Sequence, residues 1–393
     1  MQSKPKLWSR DFVLLANANL LMAIAFYFMM PILPVYLTDK LAASKSEVGM
    51  VLAFYTIATL IIRLFSGWTI DTYGRKTIYL FAYLFFSIFF IGYPLAFTIY
   101  LFIGIRFLHG LTWGVLTTSS STIAIDIIPP SRRGEGIGIF GLSMTIGMAI
   151  GPMIAIFITG ADRYTLLFVS AIGISFLGFI LAQIVRYPSF NRENSKRAFS
   201  FKDLVEKNSI PVSVNMLIVQ FTYGGVISFI ALYGKEIGVE NSGLFFLILS
   251  VGIGLSRVKS GRIFDVSGPE KIIMLGMVLL VIGFPALAIF NSSLGFHLSA
   301  IILGFGFGII MPTFQAMVNN LVLPSRRGAA NSTFFTSFDI GIGLGMVGTG
   351  ILSDYLGFSS TFLIFSAIII MALIFFQLIS FRHYKKKLLV SLS

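Results

Sequence analysis

The chain repeats itself at a constant offset of 194 residues, and the repeated motifs lie inside strongly apolar sequence. The segment RLFSG at 63–67 recurs as RVKSG at 257–261, and PSRRG at 130–134 recurs unchanged at 324–328. Further glycines keep this offset, and the pairs are Gly110 with Gly304, Gly114 with Gly308, Gly147 with Gly341, and Gly151 with Gly345. We interpret the repeat as two copies of one membrane bundle that share an orientation and enclose a cleft.

The apolar content of the sequence requires lipid as the surrounding solvent. Of the 393 residues, 56% are hydrophobic and 11% are charged, and the mean hydropathy is +0.90. A membrane-spanning helix needs about 20 apolar residues. Twelve such runs occur, centred near residues 21, 58, 87, 114, 148, 175, 221, 252, 280, 309, 341 and 370. The sequence therefore predicts an all-α integral membrane protein with twelve transmembrane helices in two pseudo-symmetric six-helix bundles.

The most polar stretch of the chain separates the two copies. We expect an N-terminal six-helix bundle over 1–186, a cytoplasmic linker over 187–209, and a C-terminal six-helix bundle with a basic cytoplasmic tail over 210–393. Within the linker, 199–207 has the pattern of a short amphipathic helix at the membrane surface. Because each bundle has an even number of spans, both enter the membrane with the same orientation.

The net charge of +13 follows the positive-inside rule and not the pattern of a nucleic-acid-binding protein. Most of the 29 Lys and Arg residues fall on one side of the expected spans, which predicts that both termini lie in the cytoplasm. We interpret the basic tail 382–387 as a topology signal that contacts lipid headgroups. The chain contains no Cys and its three His are scattered, so we expect neither disulfides nor a metal site.

A polar loop follows the second apolar run. Residues 67–76 read GWTIDTYGRK, with a weaker echo at 261–271. The loop resembles the signature G-x-x-x-D-R-x-G-R-K of the major facilitator superfamily, although Thr72 stands where that family usually has Arg. The resemblance covers nearly the whole chain, and it implies a transporter that works by alternating access.

The resemblance also implies that this loop forms a cytoplasmic gate. The gate residues would be Gly67, Asp71, Gly74, Arg75, Lys76 and Asp126. From its place at a helix end, Asp71 is expected to meet the positive end of a neighbouring helix, and Asp126 is the nearest candidate partner of Arg75. The alternative is that Arg75 and Lys76 only anchor the loop at the cytoplasmic surface.

The fifth apolar run carries a spaced glycine motif. Gly138, Gly147, Gly151 and Pro152 resemble the antiporter motif of the same superfamily, although Ala155 and Ile156 replace its two closing glycines. The resemblance implies export in exchange for protons, as in the twelve-helix drug–proton antiporters. Close packing of helix backbones is the alternative explanation of these glycines.

Two charged residues stand deep in apolar runs. Arg106 opens the segment RFLHG, which resembles the R-x-x-q-G motif of the superfamily, and Asp339 lies in the eleventh run. A charge at such depth is costly unless it is paired or hydrated. We expect Asp339 to carry a coupling proton and Arg106 to tune it. A static ion pair is the alternative for Arg106, and for Asp339 a permanent ion pair or a helix-capping role.

Several polar and aromatic residues are candidates for the lining of a substrate cavity. They are Asn17, Asn19, Tyr27, His109, Trp113, Gln220, Tyr223 and Gln315. For the Asn and Gln residues, hydrogen bonding between helices is the alternative.

The sequence therefore predicts a secondary active transporter in the bacterial inner membrane, a monomer that exports small, amphipathic molecules against a flow of protons. No cofactor is expected, and the sequence shows no nucleophile–base pair that would suggest an enzyme. Two alternatives of the same fold stay open. One is a proton-coupled importer or exporter of sugars or other metabolites, and the other is a flippase for a lipid-linked substrate.

Overall fold

The computed structural model describes residues 5–30, 32–159, 164–187, 204–239 and 243–392, and within these ranges the chain forms helices and short connections without a strand. The first half contains α1 (Arg10–Met29), α2 (Ile32–Leu41), α3 (Lys45–Tyr73), α4 (Arg75–Leu95), α5 (Ile99–Ile127), α6 (Arg133–Thr159) and α7 (Tyr164–Ile184). The second half contains α8 (Ile210–Glu236), α9 (Leu244–Ser267), α10 (Pro269–Ile289), α11 (Ser293–Asn320), α12 (Arg327–Phe375) and α13 (Phe381–Leu392). Short 3₁₀ turns, Pro130–Arg132, Lys207–Ser209 and Pro324–Arg326, precede α6, α8 and α12, and a π-helical turn, Phe376–Ser380, joins α12 to α13.

Eleven helical stretches of the described chain are long and apolar enough to span a bilayer. The last of them contains α12, whose 49 residues would extend about 74 Å at 1.5 Å per residue, more than twice the thickness of the hydrocarbon layer. Gly357 interrupts α12 with a φ of 76° and a ψ of 164°, and α12 is long enough for two spanning segments, one on each side of Gly357. Counting these segments separately gives twelve spans, and the predicted all-α membrane fold is confirmed.

The helices begin where the sequence supplies capping side chains. Ser44 and Glu47 form a reciprocal capping box at the start of α3, in which the Ser44 N–H donates to Glu47 Oε2 at 2.8 Å. The hydrogen bonds from the Ser44 backbone and hydroxyl hold the pKa of Glu47 below its ordinary value. Thr98 and Ser292, which are related by the repeat, cap α5 and α11 in the same way, by accepting from Leu101 and Gly295.

The sequence repeat is also a repeat of helix contacts. Where α5 crosses α3, Gly110 lies against the carbonyl oxygen of Tyr55, and where α11 crosses α9, Gly304 lies against that of Leu249. A Cβ on Gly304 would stand 2.5 Å from that oxygen, which no side chain tolerates. Glycine at these positions lets the two backbones touch, as small residues do between helices in lipid.

The chain divides into two compact units. The first comprises Met1–Pro129, Leu142–Val205 and Pro324–Ser332, and the second comprises Pro130–Gly141, Glu206–Leu323 and Thr333–Ser393. Each unit thus contains a short segment from the other half of the sequence: the first turns of α12 join the first unit, and the first turns of α6 join the second.

The domain boundaries expected from the sequence, at 1–186 and 210–393, stay predictions. The linker expected over 187–209 lies largely outside the described residues, and so does the greater part of the amphipathic helix expected over 199–207.

Candidate functional site

Asp71, in the last turn of α3, caps the start of α12. Its two carboxylate oxygens accept the backbone N–H groups of Gly328 at 3.1 Å and Ala329 at 2.9 Å. These N–H groups belong to the first turn of a helix, where they have no partner within the helix and carry the positive end of its dipole. The carboxylate therefore satisfies two unpaired donors and is itself stabilised by the helix.

Two arginines and a second acid surround Asp71. Arg75 donates from Nε to Asp126 at 2.9 Å, lies 3.2 Å from Asp71 through Nη1, and donates to the carbonyl oxygen of Pro324 at 2.5 Å. Arg327 donates to the other oxygen of Asp126 at 2.6 Å. None of the four charged side chains is more than 12% exposed, and their charges sum to zero. We call these four residues and the first turn of α12 the Asp71 cluster.

The other residues of the expected gate lie close to this cluster in the chain. A Cβ on Gly67 would stand 2.6 Å from the carbonyl oxygen of Gly328, so α3 and α12 touch through their backbones there. Gly74 ends α3 with a φ of 96°, which side-chain-bearing residues avoid. The Lys76 ammonium lies 5.8 Å from the centre of the Tyr187 ring. The gating role of all these residues stays a prediction.

A second cluster repeats the first one at the start of α6. Asp265, the repeat counterpart of Asp71, accepts the N–H groups of Gly134 at 2.7 Å and Glu135 at 2.9 Å. Arg133, the counterpart of Arg327, donates to the side-chain oxygen of Asn320, the counterpart of Asp126. We call these residues, with the first turn of α6, the Asp265 cluster.

The Asp265 cluster differs from the Asp71 cluster by one acid and one base. Asn320 stands at the place of Asp126, and Pro269 stands at the place of Arg75. Because a negative and a positive charge are missing together, the charges of Asp265 and Arg133 still balance. Sequence reasoning missed Arg133, Asp265, Asn320 and Arg327 as site residues, although applying the repeat offset to Asp71 and Asp126 identifies two of them.

Arg106 lies among aromatic rings of the first unit and is 2% exposed. Its Nη1 donates to the Tyr93 hydroxyl at 3.1 Å, and its guanidinium carbon lies 4.1 Å from the centre of the Tyr55 ring. Among the residues that the structure describes, no carboxylate contacts Arg106. Pairing with Asp339, which belongs to the second unit, stays a prediction.

Tyr93 connects Arg106 to His109. The Tyr93 oxygen lies 2.5 Å from Nδ1 of His109. A guanidinium only donates, so the Tyr93 oxygen accepts from Arg106, and the same oxygen lies within hydrogen-bond distance of His109 Nδ1. Nε2 of His109 is buried without a hydrogen-bond partner in the described chain, as is Nε of Arg106. The cluster therefore holds a cation, an imidazole and two polar atoms that lack partners among the described residues.

The spaced glycines of α6 belong to different units, and each packs within its own unit. A Cβ on Gly147 would stand 2.5 Å from the Ala23 side chain, and one on Gly151 would stand 2.9 Å from the Phe28 nitrogen, so both glycines lie against α1. Gly138 lies against the carbonyl oxygen of Arg257 in the second unit. The helix continues through Pro152. These are close backbone contacts, and the antiporter role stays a prediction.

The candidates for a cavity lining in the first unit have varied surroundings. Asn19 donates to Ser143 at 2.5 Å, whereas Asn17 is exposed and donates to a carbonyl of its own helix. Trp113 stacks on Phe26 with ring centres 4.1 Å apart, and Tyr27 meets the same Phe26 edge-on at 5.0 Å.

In the second unit, Gln220 and Gln315 are buried, and Tyr223 meets Phe307 edge-on at 4.9 Å. Asp339 is half-buried in α12. A lining role for any of these residues stays a prediction.

Known proteins resemble this chain over most of its length. The profile of the Major Facilitator Superfamily matches residues 15–322 and 212–391. An uncharacterised MFS-type transporter of Methanocaldococcus jannaschii is 26% identical over 87% of this chain and 90% of that protein. The staphylopine export protein of Staphylococcus aureus is 24% identical over 85% of this chain and 87% of its own length. Multidrug resistance protein MdtG of Escherichia coli is 26% identical over 92% of both chains.

Solved structures agree with this match at the level of the fold. The human organic anion transporter MFSD10 has a TM-score of 0.83 at 15% identity, covering 95% of this chain and 100% of that chain. The transporter FucP, in its outward conformation, has a TM-score of 0.78 at 16% identity, covering 94% and 98%. With the profile match extending over nearly the entire sequence, the chain belongs to the major facilitator superfamily.

Proposed function

We propose that this protein is a proton-coupled exporter that moves small, amphipathic molecules out of the bacterial cell by alternating access. The observation that carries this direction is in the names of the relatives: proteins named for staphylopine export and for multidrug resistance align with 85% or more of the chain. We place the protein in the inner membrane as a monomer with both termini in the cytoplasm. Its partners are then the substrate, protons and lipid.

The Asp71 cluster supports the alternating-access part of this proposal. Its buried charges and the N–H groups of the first turn of α12 satisfy one another, so losing a single partner leaves an uncompensated charge. The interactions of the Asp71 cluster therefore break together when α12 moves away from α3 and water reaches the charged groups. We infer that the intact cluster is the closed cytoplasmic gate.

We assign the coupling proton to Asp339. Its position lies about 18 Å along α12 from Arg327, at 1.5 Å per residue. Two glycines that follow in the helix, Gly341 and Gly345, lie against the backbone of α8. An ionised carboxylate at such depth is stable only when it faces water or a cation, so its proton is gained or lost as access alternates. Arg106 is the cation that we propose as its tuning partner.

Transport by Asp339→Asn in proteoliposomes tests the coupling. With a fluorescent amphipathic cation as substrate and an imposed pH gradient, uphill transport by this variant is expected to fall to background, while downhill exchange of labelled for unlabelled substrate continues. Asp354→Asn is the matched control, because Asp354 is an exposed acid of the same helix. Uphill transport by Asp339→Asn at the wild-type rate would refute the assignment.

The same vesicles distinguish the direction of coupling. An exporter accumulates substrate on the side from which protons leave, whereas a proton-coupled importer accumulates it on the side to which protons move. Substrate accumulation together with the proton flow would overturn the proposed antiport.

A further inference from the structure

The C-terminal helix α13 is held on the second unit by two polar contacts. The Tyr384 hydroxyl accepts a hydrogen bond from Nδ2 of Asn320 at 3.1 Å, and Tyr384 is 5% exposed. Nε2 of His383 lies 3.0 Å from the carbonyl oxygen of Asn208, just before α8, and since a carbonyl only accepts, the imidazole donates. These two contacts fix the position and the rotation of α13 on the second unit.

The contact with Tyr384 completes the Asp265 cluster. In the Asp71 cluster, Asp126 has two partners, Arg327 on one oxygen and Arg75 on the other. In the Asp265 cluster, Asn320 also has two partners, Arg133 on its oxygen and Tyr384 on its nitrogen. Tyr384 is thus the second partner of the Asn320 amide, in the same way that Arg75 is the second partner of the Asp126 carboxylate.

A short chain of contacts joins Tyr384 to the start of α6. Asn320 binds Arg133, and the next two residues, Gly134 and Glu135, donate their N–H groups to Asp265. An interaction that fixes the position of Tyr384 therefore also restrains Asn320 and, through it, Arg133 at the start of α6.

The outer side of α13 is cationic. Arg382, Lys385, Lys386 and Lys387 are exposed, and residues 381–392 contain no acid. In the part of the chain that the structure describes, none of these four basic residues forms an ion pair. Four basic groups on a docked helix at the end of a spanning segment match the charge of acidic phospholipid headgroups, and each contributes about a fivefold gain in binding to such a surface.

We propose that the basic side of α13 binds acidic phospholipids at the membrane surface, and that this binding fixes Tyr384 on Asn320 and so stabilises the Asp265 cluster. Lipid bound to α13 then affects the helix cap at Asp265 through the hydrogen bond between the Tyr384 hydroxyl and Asn320. The binding does not depend on the direction of transport or on proton coupling.

Lipid binding is measured on the purified full-length protein by native mass spectrometry, with phosphatidylglycerol as the probe and phosphatidylcholine as the neutral reference. The combined variant Lys385→Gln, Lys386→Gln and Lys387→Gln is expected to lose at least tenfold in affinity for phosphatidylglycerol. The matched control removes three exposed basic residues elsewhere, Lys6, Arg10 and Lys271. Equal losses in the two variants would overturn the assignment of the lipid site to α13.

The coupling is measured by amide exchange of the peptide that contains Gly134 and Glu135, in nanodiscs with and without phosphatidylglycerol. Acidic lipid is expected to slow this exchange in the wild type. In Tyr384→Phe the lipid still binds but the slowing disappears, because the phenol that meets Asn320 is gone. Slowing that persists in Tyr384→Phe, or that is absent from the wild type, would overturn the coupling. Neither readout uses transport, so failure of the proposed antiport leaves this result unaffected.

Discussion

Tyr93 has one hydroxyl group and two buried partners, Arg106 and His109. The motif around Arg106 singles out both partners in the sequence, but nothing in α4 distinguishes Tyr93 from the other tyrosines of the chain. Contacts between side chains on different helices depend on how each helix is rotated about its axis. Hydropathy leaves that rotation open for a helix that is apolar all round, so this part of the site was not predictable.

Removal of the Tyr93 hydroxyl is expected to destabilise the protein. Tyr93→Phe leaves Arg106 and His109 each without a hydrogen bond in a buried position, which lowers the unfolding free energy by about 1 kcal/mol. Tyr79→Phe is the matched control on the same helix, because the Tyr79 hydroxyl is equally buried but has no hydrogen-bond partner among the described residues. Thermal unfolding in detergent should show a lower Tm for Tyr93→Phe alone. Equal Tm values for the two variants would contradict the bridging role.

At the scale of helices, the start of α12 depends on a residue 257 positions earlier in the chain. The sequence predicted that Asp71 meets the positive end of a helix, because a carboxylate at a helix end favours such a neighbour. It did not identify α12 as that helix, since every helix start offers the same unpaired N–H groups. The sequence repeat helps to identify this helix only when both clusters are compared. Asp265, the counterpart of Asp71, caps the start of α6, and α6 is the counterpart of α12.

A side chain at the crossing of α3 and α12 is expected to loosen this cap. In Gly67→Ala the new methyl group would stand 2.6 Å from the Gly328 oxygen, so the first turn of α12 has to move away from Asp71. Amide exchange at Gly328 and Ala329 should become roughly tenfold faster, the equivalent of losing one hydrogen bond. Gly104→Ala serves as the control because its methyl group meets open space. Unchanged exchange in Gly67→Ala would show that the crossing does not hold the cap.

At the scale of the whole molecule, the twelve spans were predictable because each is a separate apolar run in the sequence. The exchange of short segments between the two units was not predictable, since 130–141 and 324–332 lie between apolar runs and carry no mark of the unit that they join. The helical continuation through α13 was also missed, because its basic residues were interpreted as a topology signal that contacts lipid headgroups and not as part of a helix. The hydropathy pattern therefore predicts the number of spanning helices, whereas polar contacts determine to which unit the first turns of α6 and α12 belong.

The two spanning segments of α12 determine the side on which the chain ends. If Gly357 marks a turn between two crossings, the C-terminus returns to the side of the N-terminus. Green fluorescent protein fused to the C-terminus should therefore fluoresce, and alkaline phosphatase fused there should be inactive. Alkaline phosphatase inserted after Asn291, between α10 and α11, should be active and provides the control. Phosphatase activity at the C-terminus would mean that α12 crosses only once.

At the crossings of α3 with α5 and of α9 with α11, glycine brings one backbone against another. A backbone contact of this kind cannot be relieved by a change of side-chain rotamer. Any displacement at these crossings therefore moves whole helices as rigid bodies. The repeat therefore constrains the paths of these four helices more tightly than it constrains the side chains around them.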